Sequence, residues 1–185
     1  MGLKDFFNRS NPQEEAASAL YGQAVAQARQ AVFYERLEVP DSLDGRFEMI
    51  CLHVFLLLRR LKQETGGEAR ATSQALYDAM FADMDRSLRE MGVGDLGVAK
   101  RVKKMAQALS GRIAAYEAAM EQEGEKPLAD ALRRNLYGTL PDVGAEPLSA
   151  MARYLRGQAS HLDAQAGAGL LAGEAAFAEP SRTLG

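Results

Sequence analysis

The apolar centre of the chain reads Met49-Ile-Cys-Leu-His-Val-Phe-Leu-Leu-Leu58. A helix that is apolar on nearly every side is surrounded by other helices, because each face must be buried. The run is far shorter than the roughly 20 apolar residues that cross a bilayer. It therefore predicts the central core helix of a helical bundle.

The boundaries of this central helix are marked on both sides. Pro40 stops the element before it, and Asp41 followed by Asp44 resembles a capping box, in which carboxylates accept hydrogen bonds from the first turn. The helix is therefore expected to begin near Ser42. Gly66-Gly67 ends it after about Glu64.

Apolar residues recur at steps of three and four on both sides of this core, which is the helical period. No segment alternates long enough to predict a strand. The fold class expected is all-α, a single compact bundle of about five to seven helices with a central apolar helix. Besides the central one, the expected helices are Pro12 to Tyr34, Glu68 to Met91, a helix after Asp95 with an apolar stripe from Val102 to Met120, Leu128 to Tyr137 and Leu148 to Gln165.

Length and composition limit the organisation and the class of protein. The chain has 185 residues, a net charge of −3 and one cysteine. This length suits one domain, and a lone cysteine forms no internal disulfide. An acidic chain is not expected to bind DNA. We expect residues 1–12 to be a flexible segment, residues 13–165 the helical domain, and residues 166–185 an Ala/Gly-rich, frayed tail.

A search for reactive side chains finds no arrangement typical of an enzyme or a metal site. The two histidines, His53 and His161, do not lie at the spacing that sets two ligands on one helical face. His53 is expected to be a neutral core residue, with haem ligation or catalysis as the alternative. Cys51 lies in an apolar setting that disfavours the reactive thiolate. No catalytic residue, metal or cofactor is expected.

The last turns of the predicted helix from Glu68 to Met91 are rich in charge. They carry Asp83, Asp85, Arg86, Arg89 and Glu90. Residues two apart on a helix point to different sides, so Asp83 and Asp85 are not expected to share a proton. The pairs expected are Asp85 with Arg89 and Arg86 with Glu90. The group either forms structural pairs or recognises a partner, and both interpretations stay open.

The methionines of the same helix are also open to two interpretations. Met80 and Met84 lie on its apolar face, and Met91 lies at its end. They either pack in the core or line a groove for an apolar segment, because thioethers adapt to varied shapes.

A basic cluster follows the glycine turn that starts at Gly92. It consists of Lys100, Arg101, Lys103 and Lys104, on the face opposite a stripe of apolar residues. Asp95 is expected to cap this helix. The cluster is either a solvated helix face or a contact for anionic lipid or RNA phosphate, at about 1 kcal/mol per cation at a membrane surface.

Several of these segments together resemble the ubiquinol–cytochrome c chaperone family over approximately residues 20 to 140. The long string of acidic and basic residues is the most specific of them. The segments are Phe33-Tyr34, Val39 to Glu48, Leu52-His53, Leu58-Arg59-Arg60-Leu61, Phe81 to Asp95, Val102-Lys-Lys-Met105, Arg112, Tyr116 and Arg134-Asn-Leu-Tyr137.

The resemblance implies an all-helical, non-catalytic assembly factor that binds newly made cytochrome b for the cytochrome bc complex. Asp83, Asp85, Arg86, Arg89 and Glu90 are the expected client-binding residues, and the basic cluster is expected to contact an anionic membrane surface. The ribosome is a further possible partner. A peripheral adaptor that binds lipid or RNA through residues 100–104 is the alternative function.

The resemblance also suggests a location. The chain lacks the N-terminal transit region of mitochondrial members. We therefore expect it in a bacterial cytoplasm, peripheral at the cytoplasmic face of the inner membrane.

Overall fold

The computed structural model describes residues 11–180, and the start of the expected flexible segment lies outside this range. Six helices of ten residues or more and two of five residues make up the described fold, and the described range holds no strand. The helices are α1 (Pro12–Ala28), α2 (Ala31–Glu35), α3 (Leu43–Leu61), α4 (Gly67–Glu90), α5 (Asp95–Met120), α6 (Lys126–Asn135), α7 (Ala145–Asp163) and α8 (Gly167–Leu171). The all-α bundle is confirmed.

The central helix is confirmed as well. α3 packs against α1, α4, α5, α7 and α8, and every residue from Glu48 to Leu57 is buried. Its cap differs from the prediction, because the hydroxyl of Ser42 accepts the hydrogen bond from Gly45 N at 3.1 Å. Asp41 instead accepts from Arg46 Nε at 2.6 Å.

The first predicted helix is two helices in the structure. α1 ends at Ala28, and Gln30 has an extended conformation with ψ 127° before the single turn of α2. The break lets Phe33 turn into the core, where it is fully buried. A continuous apolar period hid this break, because α2 resumes the same pattern after two residues.

A glycine turn joins α4 and α5 into a hairpin. Gly92 has φ +81°, the left-handed conformation that ends a helix without a Cβ penalty. The turn is confirmed, but the predicted cap of α5 by Asp95 is wrong. Gly94 is the residue before the first turn of α5, without a side-chain cap, and Asp95 is the first helical residue and pairs with Arg89 instead.

The Ala/Gly-rich segment after residue 165 was expected to be frayed, and the structure shows it packed. α8 contacts α1, α3 and α4. Hydrogen bonds then hold residues 173–178 against α1 and α7. Small side chains let this backbone approach the helices closely, which composition alone could not reveal. Within residues 11–180, every helix is too short or too polar to cross a bilayer.

Candidate functional site

The end of α4 carries the predicted client-binding residues, and Asp83 faces the body of the protein. Its carboxylate accepts a hydrogen bond from Tyr21 Oη on α1 at 2.8 Å and pairs with Arg86 one turn away. Burial, followed by this bond to Asp83, raises the pKa of Tyr21. Asp83 therefore joins α4 to α1 in addition to any contact with a partner.

Asp85 points to the other side of α4, as predicted. It accepts a hydrogen bond from Arg89 Nε at 2.6 Å, and Arg89 also pairs with Asp95 across the glycine turn. Hydrogen bonds to the two carboxylates raise the pKa of Arg89. Arg86 pairs with Asp83 rather than with Glu90, which is exposed and acts on Arg86 only through its charge.

The basic cluster on the first half of α5 is fully exposed, as all four side chains face solvent. Within the described part of the chain, none of the four has an acidic side chain within ion-pair distance. Buried Val98 and Leu109 hold the opposite face of α5 against the bundle. The cluster is therefore a concentrated positive surface that no neighbouring carboxylate neutralises.

Two apolar side chains are exposed beside this cluster at the hairpin tip, the turn from Met91 to Leu96. Leu96 is 92% exposed and Met91 is 51% exposed. Sequence reasoning missed Leu96. Its position, two residues before Val98, sets it opposite the buried stripe of α5, and this offset was the available signal.

A groove of about 530 Å³ lies between α2, the first half of α3 and the second half of α4. Leu43, 63% exposed, lies at its edge, and Phe47, Ile50 and Met84 form the apolar part. Charged side chains also line it: Arg46 of α3, Asp83 of α4, Arg29 just after α1 and Asp41 just before α3. Of the methionines considered as groove residues, Met80 is fully buried and Met84 lines this groove. This shape suits an apolar segment flanked by charges.

A partly buried ion pair lines a second groove, of about 430 Å³, between α3, α5 and α6. Glu48 of α3 accepts two hydrogen bonds from Arg112 of α5. Burial raises the pKa of Glu48, and the bonds from Arg112 lower it part of the way back. Lys104 of the basic cluster lines this groove, so the cluster and the ion pair are neighbours.

A third groove, of about 800 Å³, lies between the end of α3, the start of α4 and the middle of α5. Leu58, Tyr77 and Ile113 line it, with Arg59 and Glu117 among its charged residues. None of the nine predicted site residues lies on it. The predicted residues are therefore gathered at the α4–α5 hairpin, with Asp83 and Lys104 reaching a groove each.

His53 is a satisfied core histidine, as expected. Its Nε2 lies 2.8 Å from Tyr154 Oη and its Nδ1 lies 2.8 Å from Met49 O. A carbonyl only accepts, so Nδ1 carries the proton and Nε2 accepts from the tyrosine. Gln27 Nε2 donates to Tyr154 Oη at 3.0 Å, which completes the chain.

Burial acts on both potentially reactive groups of α3. It lowers the pKa of His53 to about 4, against the opposing hydrogen bond to Met49, and it raises the pKa of the Cys51 thiol well above its usual value. In residues 11–180, no three His, Cys, Asp or Glu side chains are grouped to hold a metal ion.

A family model and a solved structure are both similar to this chain. The family model for ubiquinol-cytochrome C chaperone matches residues 35–177. The crystal structure of the Cbp3 homolog from Brucella abortus is 35% identical, with a TM-score of 0.82, over 98% of this chain and 99% of that chain.

Eukaryotic relatives are more distant, and most are longer. Ubiquinol-cytochrome-c reductase complex assembly factor 1 of Xenopus laevis is 28% identical over 84% of this chain and 76% of its own. Protein CBP3, mitochondrial, of Saccharomyces cerevisiae is 30% identical over 68% of this chain and 38% of its own. The mouse assembly factor 1 is covered over 52% of its length. With the family model spanning the helices from α3 to α8, this chain belongs to the ubiquinol-cytochrome c chaperone family.

Proposed function

We propose that this chain is a non-catalytic chaperone that binds newly made cytochrome b for assembly of the ubiquinol–cytochrome c reductase complex. Family membership is the observation that carries the proposal, since the relatives are named as assembly factors of that complex. The surface at the α4–α5 hairpin, with paired charges, exposed apolar residues and an adjoining groove, supports a binding role.

Electrostatics supports the end of α4 as the client contact. Cytoplasmic loops of membrane proteins are rich in Lys and Arg. The five predicted client-binding residues together carry three carboxylates and two guanidinium groups, and Glu90 is exposed without a hydrogen-bonded partner. A cationic client loop gains attraction to Asp85 and Glu90 without disturbing the Asp83 bond to α1.

The basic cluster and the hairpin tip support a contact with the membrane surface. Four unpaired cations attract anionic headgroups at about 1 kcal/mol each, and Leu96 offers apolar area to the lipid interface. The same cations repel the cationic loops of the client. The cluster therefore orients the protein on the membrane, while the end of α4 meets cytochrome b.

The client half of the proposal is tested by crosslinking in membranes. The variant Asp85→Asn/Glu90→Gln should recover several-fold less cytochrome b than the unchanged protein. The matched control is Glu121→Gln/Glu123→Gln, which removes two exposed carboxylates just after α5. They lie at the end of α5 remote from the hairpin tip, and this 26-residue helix is about 39 Å long at 1.5 Å per residue. Equal recovery of cytochrome b with both variants would contradict the proposed contact.

The membrane half is tested by flotation with vesicles. Replacement of Lys100, Arg101, Lys103 and Lys104 by Gln should abolish recovery on anionic vesicles, while neutral vesicles recover neither form. Equal recovery of the protein on anionic and neutral vesicles would contradict the proposed membrane contact. Salt-sensitive RNA binding by the unchanged protein, lost in the same variant and independent of cytochrome b, would instead favour the adaptor function.

A further inference from the structure

Residues 173–178 run as an extended strap between α1 and α7, and glutamine side chains hold the strap by its backbone. The structure has four such residues, which we call the glutamine groove: Gln23 and Gln27 of α1, Gln158 of α7 and Gln165 just after α7. Together they form seven hydrogen bonds with the strap.

Three of the amides each bind the strap twice. Gln158 accepts from Ala178 N at 2.9 Å and donates to Ala178 O at 2.7 Å. Gln165 does the same with Ala176, at 2.9 and 2.7 Å. Gln23 accepts from Ala175 N and donates to Gly173 O, both at 3.0 Å. A side-chain amide that donates and accepts reproduces the pairing of a neighbouring strand.

This recognition does not depend on most side chains of the strap. Three of its six residues are alanine, and the backbone bonds involve no side chain of the strap. Phe177 is the exception, because its ring lies edge-on to His53 with centroids 5.2 Å apart. The groove therefore recognises an extended backbone with one aromatic side chain.

The glutamine groove is connected to the core. Gln27 Nε2 donates both to Ala178 O and to Tyr154 Oη, each at 3.0 Å, and Tyr154 donates to His53. Gln158 is fully buried and Gln27 is 8% exposed. Release of the strap would expose the amide of Gln158, which would exchange its two bonds to the strap for bonds to water or to another extended backbone, while Gln27 keeps its bond to Tyr154. The groove of a released molecule therefore offers the same donors and acceptors to an occupant of the same chemistry.

We propose that the glutamine groove is a binding site for an extended segment of another polypeptide with one aromatic side chain, and that residues 173–178 fill it in cis as a competitor. The inference rests on the proposed chaperone function for one point, that the segment comes from an unfolded client. Backbone recognition with a single aromatic contact suits an unfolded stretch of a client, because it requires an extended backbone and only one particular side chain. Gly173, at φ +85° and close to Ala16, is the point where the strap begins.

In the unchanged protein, the strap occupies the glutamine groove and therefore weakens the binding of a second polypeptide there. A ligand binds only the fraction of molecules whose strap is released, so its apparent affinity falls by that fraction. Phe177→Ala removes the aromatic contact of the strap and leaves the four glutamines in place. The released fraction, and with it the apparent affinity for a peptide, should rise by about tenfold or more.

The probe is a fluorescent peptide of the strap sequence Gly-Glu-Ala-Ala-Phe-Ala-Glu-Pro, and the readout is its anisotropy with the full chain. We expect the Phe177→Ala protein to bind the peptide at least tenfold more tightly than the unchanged protein. A peptide methylated on the two backbone nitrogens that Gln158 and Gln165 recognise, or one with alanine in place of phenylalanine, should lose binding.

A matched pair of glutamine variants separates the groove from general effects. In the Phe177→Ala background, Gln158→Leu should abolish peptide binding, and Gln122→Leu should not, because the side-chain amide of Gln122 donates to Ala118 O of α5 rather than to the strap. Thermal unfolding checks that both proteins are folded. No peptide binding to the folded Phe177→Ala protein, or equal binding by both glutamine variants, would overturn the proposal.

This experiment is independent of the proposed function. The assay contains no cytochrome b, so its failure would leave the crosslinking result of the Asp85 and Glu90 variants as it stands. Loss of cytochrome b recovery without any change in peptide binding would in turn affect only the client contact on α4.

Discussion

Acidification is expected to destabilise this protein through His53. The imidazole is fully buried, and desolvation lowers its pKa from 6.5 to about 4. Its Nε2 accepts a hydrogen bond from Tyr154. A proton on Nε2 would turn this acceptor into a donor, so the charged ring would be buried without hydration and the hydroxyl proton of Tyr154 would lose its acceptor.

The direction follows from proton binding in the two states. The unfolded chain takes up a proton on this histidine near pH 6.5, and the folded protein does so only near pH 4. Between these values the unfolded state binds more protons, so the free energy of unfolding falls as the pH falls. The difference between the two pKa values corresponds to about 3 kcal/mol of the free energy of unfolding, and about 2 kcal/mol of this is lost between pH 7.5 and pH 5.

Urea unfolding at pH 7.5 and pH 5 measures this loss. The protein should lose about 2 kcal/mol more than the variant His53→Phe across that interval, because carboxylates titrate in both. His53→Phe also lowers stability at pH 7.5, since Tyr154 loses its acceptor, so only the change across pH is compared.

Equal losses in the protein and in His53→Phe would refute the reasoning. That result would mean that the folded protein accepts the proton on His53 as readily as the unfolded chain does, which the buried network does not allow.

Three further substitutions test packing, two of them in the core around α3 and one on α1. Arg112→Ala should lower the free energy of unfolding by about 3–5 kcal/mol, because it leaves the buried Glu48 unpaired, and replacing both residues by Leu should cost less in the same urea titration. Gly45→Ala should cost about 1–3 kcal/mol, since its Cβ would overlap the carbonyl oxygen of Pro40. Gly22→Ala, with open space in the middle of α1, should instead raise the melting temperature through about 0.5–1 kcal/mol. A destabilised Gly22→Ala or an unaffected Gly45→Ala would contradict these packing arguments.

Helical periodicity was sufficient for the architecture. The run from Met49 to Leu58 predicted a surrounded helix, and α3 is that helix. Gly92 predicted the turn between α4 and α5, and the family resemblance is confirmed by the comparisons. The assignments of client and membrane contacts to the hairpin residues remain predictions.

The two capping errors have a common cause in local competition between polar groups. At the start of α3, Ser42 caps the helix because Arg46 engages Asp41. At the hairpin, Arg89 reaches Asp95, which leaves the first turn of α5 uncapped. Several polar partners lie within reach of each side chain, and sequence spacing does not rank them.

The sequence by itself determined which segments are helical and which faces are apolar, because 3.6-residue periodicity and glycine stops act over neighbouring residues. Only the tertiary structure decided that Glu48 meets Arg112, 64 residues away, and that Gln23 meets Gly173, 150 residues away. The frayed tail predicted from Ala and Gly content is wrong for residues 167–178 for the same reason. Glutamine amides and alanines have no strong pattern along the chain, and their complementarity exists only after the helices have packed.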